Sequence, residues 1–301
     1  MCRLFGSISS GPLDLGSHLV SSETSLLAQS TAFSKKIQKD GWGLASCKGD
    51  CQPKMVLSTG AVFEEKQKFN AAVTKASGPI IIGHIREASN PMNLPPEKLL
   101  RIENQQPFTW KNWVFAHNGT LKLPAETLRT LGKYQKNMKG QNDSEVFFWL
   151  LMSQLGKAGS VKAALESSVK IILNVWDDAP AEKKAAVKLP YVSLNFILTD
   201  GKKLYAVCKY DGYRPKTRDN WLIAVKPPRP LLEMCYRLEP DGKGIVVASE
   251  RTEPDGNWIP LHDGSLLEAS LEGGAVKVGV EKLSRATAPA SSREPRSLHS
   301  G

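Results

Sequence analysis

The chain has 301 residues, 41% of them hydrophobic and 23% charged, which predicts an ordinary globular protein with a sizeable core. It holds no run of eighteen apolar residues and no basic stretch followed by an apolar segment at its start, so no membrane-spanning helix or secretory signal is expected and the predicted location is cytoplasmic. Five cysteines form no disulfide framework. The net charge of +10 comes from scattered lysines ("SKKIQK", "GKYQKNMK", "AEKKAAVK") with no interleaved aromatics, so we read a solvated basic surface rather than a nucleic-acid site; its field would favour small anionic substrates.

The chain opens "MCRLFG". Cys2 is either a small residue of a first strand or, once Met1 is removed, a thiol and an α-amine on one residue, a nucleophile carrying its own base. A helix is predicted over 17–30. In "KDGWGLAS" (39–46), Gly41 and Gly43 around Trp42 suit a tight turn with an exposed aromatic, or equally a wall over a small substrate. Cys47 and Cys51 have no second pair or nearby histidine to complete a zinc site and read as loop cysteines. A helix over 64–77 precedes an apolar strand over 79–85 that runs into "HIREAS". Arg86 there either pairs with Glu87 or another surface acid, or points into a cleft where its fork of donors grips a carboxylate.

A strand over 113–117 leads into "HNGTL". Asn118-Gly119 between apolar runs signals a type I′ hairpin turn. The same pair can supply an amide and a backbone N–H as a two-donor oxyanion hole. After a helix over 124–132, a helix over 143–156 has Asn142 as cap, Glu145 completing a capping-box-like start, and Val146, Phe147, Leu150, Leu151 and Leu155 at helical spacing. Asp143, in its first turn, complements the helix dipole or binds a substrate ammonium. A helix over 159–175 and strands over 191–200, 203–210, 221–225, 244–250, 265–272 and 276–283 follow. Long helical segments among hairpin-like strands predict stacked sheets flanked by helices. From Arg285 onward, "RATAPASSREPRSLHSG" is expected to be a disordered tail.

Taken together and in this order, "MCRLFG", "HIREAS", "HNG" and "NDSEV" resemble the class II (N-terminal nucleophile) glutamine amidotransferases. The chain is most similar to their stand-alone type, which includes γ-glutamyl amidohydrolases of ergothioneine biosynthesis and of glutathione breakdown. The resemblance resumes at "VVASERTEPDGNWIPLHDGSLLEAS" (246–270). It implies an α+β fold, the four-layer αββα sandwich of N-terminal nucleophile hydrolases, over a domain spanning 2–284 with the tail at 285–301. It implies Cys2 as nucleophile after removal of Met1, Asn118 and Gly119 as the oxyanion hole, Arg86 for the substrate α-carboxylate and Asp143 for its α-ammonium. Ser89, Gly41, Trp42 and Gly43 would line the rest of the pocket. No metal or organic cofactor is implied, and His84, His117 and His262 are read as structural.

Better-known relatives carry Trp-Ala-Thr-His after the arginine, where this chain has Glu87, Ala88, Ser89 and Asn90. The implied activity is hydrolysis of the γ-glutamyl amide of glutamine or of a small γ-glutamyl compound. Two alternatives remain: a glutaminase subunit handing ammonia to a separate synthase, and an inactive basic binding module on the same scaffold. The strands are expected to end near 283, which favours the free-standing hydrolase or a subunit of a hetero-complex. No nucleic-acid or membrane partner is expected.

Overall fold

A strand whose residues are buried on both faces must be covered on both faces, and that requirement organises this molecule. The computed structural model describes residues 1–32, 37–50, 52–210 and 232–284. Its strands are β1 (Arg3–Ser9), β2 (Trp42–Cys47), β3 (Lys54–Ser58), β4 (Ile80–Ile85), β5 (Phe108–Trp110), β6 (Trp113–Leu121), β7 (Tyr191–Thr199), β8 (Lys203–Cys208), β9 (Met234–Leu238), β10 (Gly244–Ala248), β11 (Ile259–Leu261), β12 (Ser265–Glu272) and β13 (Ala275–Lys282). They form two antiparallel sheets, ordered β11-β9-β10-β1-β4-β2-β3 and β13-β12-β8-β7-β6-β5.

Alternation along the strands assigns each side chain to a layer. From the first sheet, Leu4, Ile8, Ala45, Ile80 and Ile82 face inward and meet Val114, Ala116, Ile197 and Ala206 of the second. The two sheets approach closely at Gly6, where a Cβ would lie 2.7 Å from the Ile197 side chain. The outer face of the first sheet, with Phe5, Trp42, Leu44, Ile81 and Ile85, is covered by helices α1 (Leu26–Gln29) and α2 (Lys66–Lys75) through Leu26, Phe69 and Val73. Short helices α3 (Pro96–Leu99) and α4 (Pro124–Leu128) precede the long pair α5 (Asp143–Ala158) and α6 (Val161–Asp177), which cover the second sheet; α7 (Ala181–Val187) follows. The result is helix, sheet, sheet, helix: the predicted four-layer αββα sandwich.

Several elements depart from the sequence reading for identifiable reasons. The helix expected over 17–30 breaks into a π-helical turn (Ser17–Ser21) and α1, because serine and threonine side chains take over backbone partners between them. Ser22 Oγ accepts from the Thr24 N–H (3.2 Å), while the Ser25 hydroxyl donates to the Val20 carbonyl and caps α1. Gly159, left-handed at φ 72°, ends α5 two residues later than predicted, and Ser160 caps α6, which starts and ends two residues later than predicted. Asn142 accepts from the Glu145 N–H (2.7 Å) as expected, but the Glu145 carboxylate reaches the Lys139 and Gly140 N–H groups instead of closing a capping box.

Asn118-Gly119 is not a hairpin turn. It lies inside β6, paired with Asn195 and Leu194 of β7, ahead of an irregularity in register before Leu121. Glycine is needed there for proximity rather than for φ: a Cβ would lie 1.9 Å from the Ser193 carbonyl oxygen. Trp42 is likewise no exposed turn aromatic but a fully buried strand residue. Cys47 is not in a loop either; it ends β2, buried, and burial pushes its thiol up to about 12. Cys51, the strand expected over 221–225 and the tail lie outside the described residues. No helix among the described residues is long and apolar enough to cross a membrane.

Candidate functional site

β1 is the middle strand of the seven-stranded sheet, and its first residues are held from both sides. On one side Ser249 Oγ accepts from the Leu4 N–H, and the Ser249 N–H donates to the Leu4 carbonyl. On the other side Arg3 pairs with Ile85, which aligns Met1 and Cys2 with the residues leaving β4, Arg86 and Glu87. The Glu87 N–H donates to Cys2 Sγ and the thiol donates to the Glu87 carbonyl, both at 3.4 Å. The Arg3 guanidinium donates to the carbonyls of Met1 (2.9 Å) and Cys2 (3.0 Å), so the backbone around the thiol is fixed before any substrate arrives.

The segment just before β2 braces the β4 exit. The Asp40 N–H donates to the Arg86 carbonyl, the Arg86 N–H to the Gly41 carbonyl, and the Ala88 N–H to Asp40 Oδ2 (2.8 Å). Gly41 sits at φ 119°, with no room for a Cβ between Ser58 and Gln105. That explains one of the two glycines around Trp42. Gly43 faces inward, where a Cβ would lie 2.1 Å from the Gln106 carbonyl oxygen.

Arg86 is 4% exposed. Its Nη2 donates to the Leu99 carbonyl (3.1 Å), whereas Nη1 is buried without a hydrogen-bond partner among the described residues. Burial pulls this guanidinium below its ordinary range, and Cys2, Asp40 and Asp143 act in the opposite direction. Asp143 is 2% exposed, and its Oδ2 accepts from the Leu121 N–H at 2.8 Å. Desolvation raises its carboxyl to about 6, against the opposing pull of that N–H, Arg86 and Lys122. The Cys2 thiol is also raised, first by burial and further by Asp143, with the N-terminal ammonium, Arg86 and Arg3 pulling it down. The thiol, the arginine and the aspartate therefore lie within electrostatic reach of one another.

Asn118 continues the inward-facing series Val114, Ala116 on β6 and is buried, while His117 faces α5. The ring of His117 fixes this stretch. Its Nε2–H donates to the Ser193 carbonyl (3.2 Å), leaving Nδ1 to accept from the Ser144 hydroxyl (3.0 Å), and burial lowers it to about 4, so it stays neutral. Asn118 and Gly119 thus precede Leu121, whose N–H holds Asp143. Ser89 is half-buried in the loop after Arg86.

Trp42 does not join this group. It lies on the sheet face opposite Cys2, with Nε1–H donating to Glu65 Oε2 (2.8 Å) and its ring edge-on to Phe69 at 5.0 Å. Two residues emerge that sequence reasoning passed over. Asp40 is one. The other is Glu87, considered only as a partner for Arg86, whose carboxylate instead pairs with the Met1 ammonium. Its place directly after Arg86 was the available signal. Among the described residues no cluster of His, Cys, Asp and Glu is arranged to hold a metal ion.

The profile of the family "Glutamine amidotransferases class-II" matches residues 1–294. No curated protein matches the chain. Among solved structures, a glutamine aminotransferase class-II domain protein from Silicibacter pomeroyi is 18% identical, with 94% of this chain and 100% of that one covered and a TM-score of 0.59. Glutamine phosphoribosylpyrophosphate amidotransferase from B. subtilis, complexed with ADP and GMP, is also 18% identical at a TM-score of 0.52, with 94% of this chain but 50% of that one covered. This chain therefore spans about half the length of that enzyme. At such identities the likeness is one of fold.

Proposed function

The chain belongs to the class II glutamine amidotransferases, a family of glutamine amide hydrolysis, and we propose that it cleaves the γ-glutamyl amide bond of a small γ-glutamyl compound with Cys2 as nucleophile. The reading takes residues 2–284 as one amidotransferase domain and requires removal of Met1. A thiol raised by burial is protonated near neutral pH and needs a base at hand. The freed α-amine of Cys2 is that base: it takes the thiol proton, and sulfur attacks the γ-carbonyl carbon. The carbonyl oxygen becomes an oxyanion held by the Asn118 side-chain amide and the Gly119 N–H, each worth about 3 kcal/mol in the transition state. The ammonium returns its proton to the leaving nitrogen, the C–N bond breaks, and a thioester remains. Water then releases glutamate and regenerates the thiol.

One observation carries this reading: a buried guanidinium nitrogen without a partner among the described residues, within electrostatic reach of a buried carboxylate and a thiol. An amino-acid head offers a carboxylate to Arg86 and an ammonium to Asp143, so a substrate with that head satisfies both charges, and an amide lacking it leaves both unpaired. Ser89 and Gly43 complete the pocket on this reading. The test is glutamate release by the purified protein from glutamine, glutathione and other γ-glutamyl compounds, with Cys2→Ala alongside. Release that disappears in Cys2→Ala supports the mechanism, and the preferred compound identifies the leaving group. Release that survives the substitution refutes it.

A further inference from the structure

The carboxylate of Glu87 has no part in the reaction as described, yet it contacts the chain's amino end. Its Oε2 is buried, has no other partner among the described residues, and pairs with the Met1 ammonium. The backbone of the same residue touches Cys2 Sγ on both its donor and its acceptor side. That backbone is immobilised by Asp40, which holds the neighbouring Arg86 carbonyl and Ala88 N–H.

The charges around the amine make this contact consequential. From β1 comes the Arg3 guanidinium, which holds the Met1 and Cys2 carbonyls, and from the end of β4 comes Arg86. Asp40 from the segment before β2 is engaged by Ala88, and Asp143 from α5 is engaged by Leu121. Across β1, Glu250 and Arg251 follow Ser249 at the end of β10. When the amine of Cys2 takes the thiol proton, the new ammonium is formed near two guanidinium groups. Asp143, on the function proposed above, is already paired with the substrate. Among the described residues, Glu87 is a carboxylate in contact with the N-terminal amine.

Resting on that function, we propose that Glu87 is the positioning residue for the α-amine of Cys2: its carboxylate orients the amine beside the sulfur and stabilises the ammonium that forms during attack. Removal of Met1 moves the amine one residue along β1, onto Cys2, whose sulfur already contacts the Glu87 backbone, and the three rotatable bonds of Glu87 let its carboxylate follow. Glu87 transfers no proton; it accepts hydrogen bonds from the amine throughout. A carboxylate in this position favours the charged form of the amine, so its loss lowers the amine's pKa.

The experiment compares wild type, Glu87→Gln and Glu87→Asp in the full chain, with Met1 removal verified by intact mass and folding by thermal unfolding. The first readout is the titration of the Cys2 α-amine by NMR of protein carrying 15N-labelled cysteine, which needs no substrate. Glu87→Gln is expected to lower the amine pKa by about one unit, with Glu87→Asp in between. The second readout is hydrolysis: kcat falls roughly 10- to 100-fold in Glu87→Gln with KM within about twofold, the acid limb of the pH profile moves down with the amine, and Glu87→Asp restores part of the rate.

An unchanged amine pKa in both variants overturns the proposal, as does retention of Met1 in the wild type. Should Glu87→Gln fail to fold, the titration of Glu87→Asp against wild type decides. If wild type hydrolyses no γ-glutamyl compound, the function proposed above fails, while the amine titration still decides the role of Glu87.

Discussion

Replacing Asp143 by Asn should stabilise the protein at neutral pH while impairing its activity, and the size of the gain is set by the carboxyl's burial. Asp143 is 2% exposed and its carboxyl is raised to about 6, whereas in the unfolded chain it titrates near about 3.9. The folded state therefore binds the proton more tightly than the unfolded state. Stability from this group is present in full below the unfolded value and is lost as pH rises through the folded value. A gap of about two units corresponds to roughly 3 kcal/mol lost between acid and neutral pH.

Asparagine keeps an oxygen to accept from the Leu121 N–H and does not titrate. The difference between variant and wild type should accordingly grow by roughly 2–3 kcal/mol between about pH 4 and about pH 8, most of it below about pH 7. Urea unfolding of both proteins across that range, at constant ionic strength, reads this difference directly. Hydrolysis should fall by about 100-fold or more, because a neutral amide cannot pair with the substrate ammonium. A stability difference that is flat with pH would refute the reasoning, since it would mean Asp143 is not held above its ordinary range.

Gly119→Ala should cost about 3 kcal/mol or more, because the added Cβ would meet the Ser193 carbonyl oxygen at 1.9 Å, a backbone atom of the paired strand. A variant as stable as wild type in urea would show that β6 and β7 are less closely paired there. Trp42→Phe removes the donor to Glu65 but keeps the aromatic packing against Phe69, so a loss of about 1–2 kcal/mol in unfolding with KM unchanged is expected. A raised KM would return Trp42 to the substrate pocket.

What the sequence revealed depended on whether its signals were local. α5 and α6 were legible because apolar spacing, caps and flanking glycine all agree. β12 was found with its observed bounds, Ser265–Glu272, since turn residues frame an alternating run. β1, buried on both faces, shows no alternation and is legible only as one alternative for Cys2; the glycines around Trp42 make β2 read as a turn, and β3, β5, β9 and β11 are too short or lack clear turn boundaries. Asn-Gly misled because its local preference for a turn is overridden by pairing with a strand some 75 residues away. Within the candidate site, Cys2, Arg86 and Asp143 stood out by motif, and the structure brings them together. Trp42 stood out equally and faces the other way, because the parity of β2 with respect to the sheet is a non-local fact. Glu87 was visible but had no partner in the sequence to give it meaning, since the amine it binds is 86 positions earlier along the chain.

The central place of β1 also bears on the order of events at the ribosome. Phe5 pairs with Gly83 on one side and Ala248 on the other, so the first strand made waits for neighbours synthesised roughly 80 and 240 residues later. At about 5–20 residues per second, that interval is on the order of tens of seconds. Until β4 is made β1 has neither neighbour, so on the function proposed above an aminopeptidase can reach Met1 before the sheet closes around it. On that reading, exposure of the amino end and assembly of the pocket around it are separated in time by topology alone.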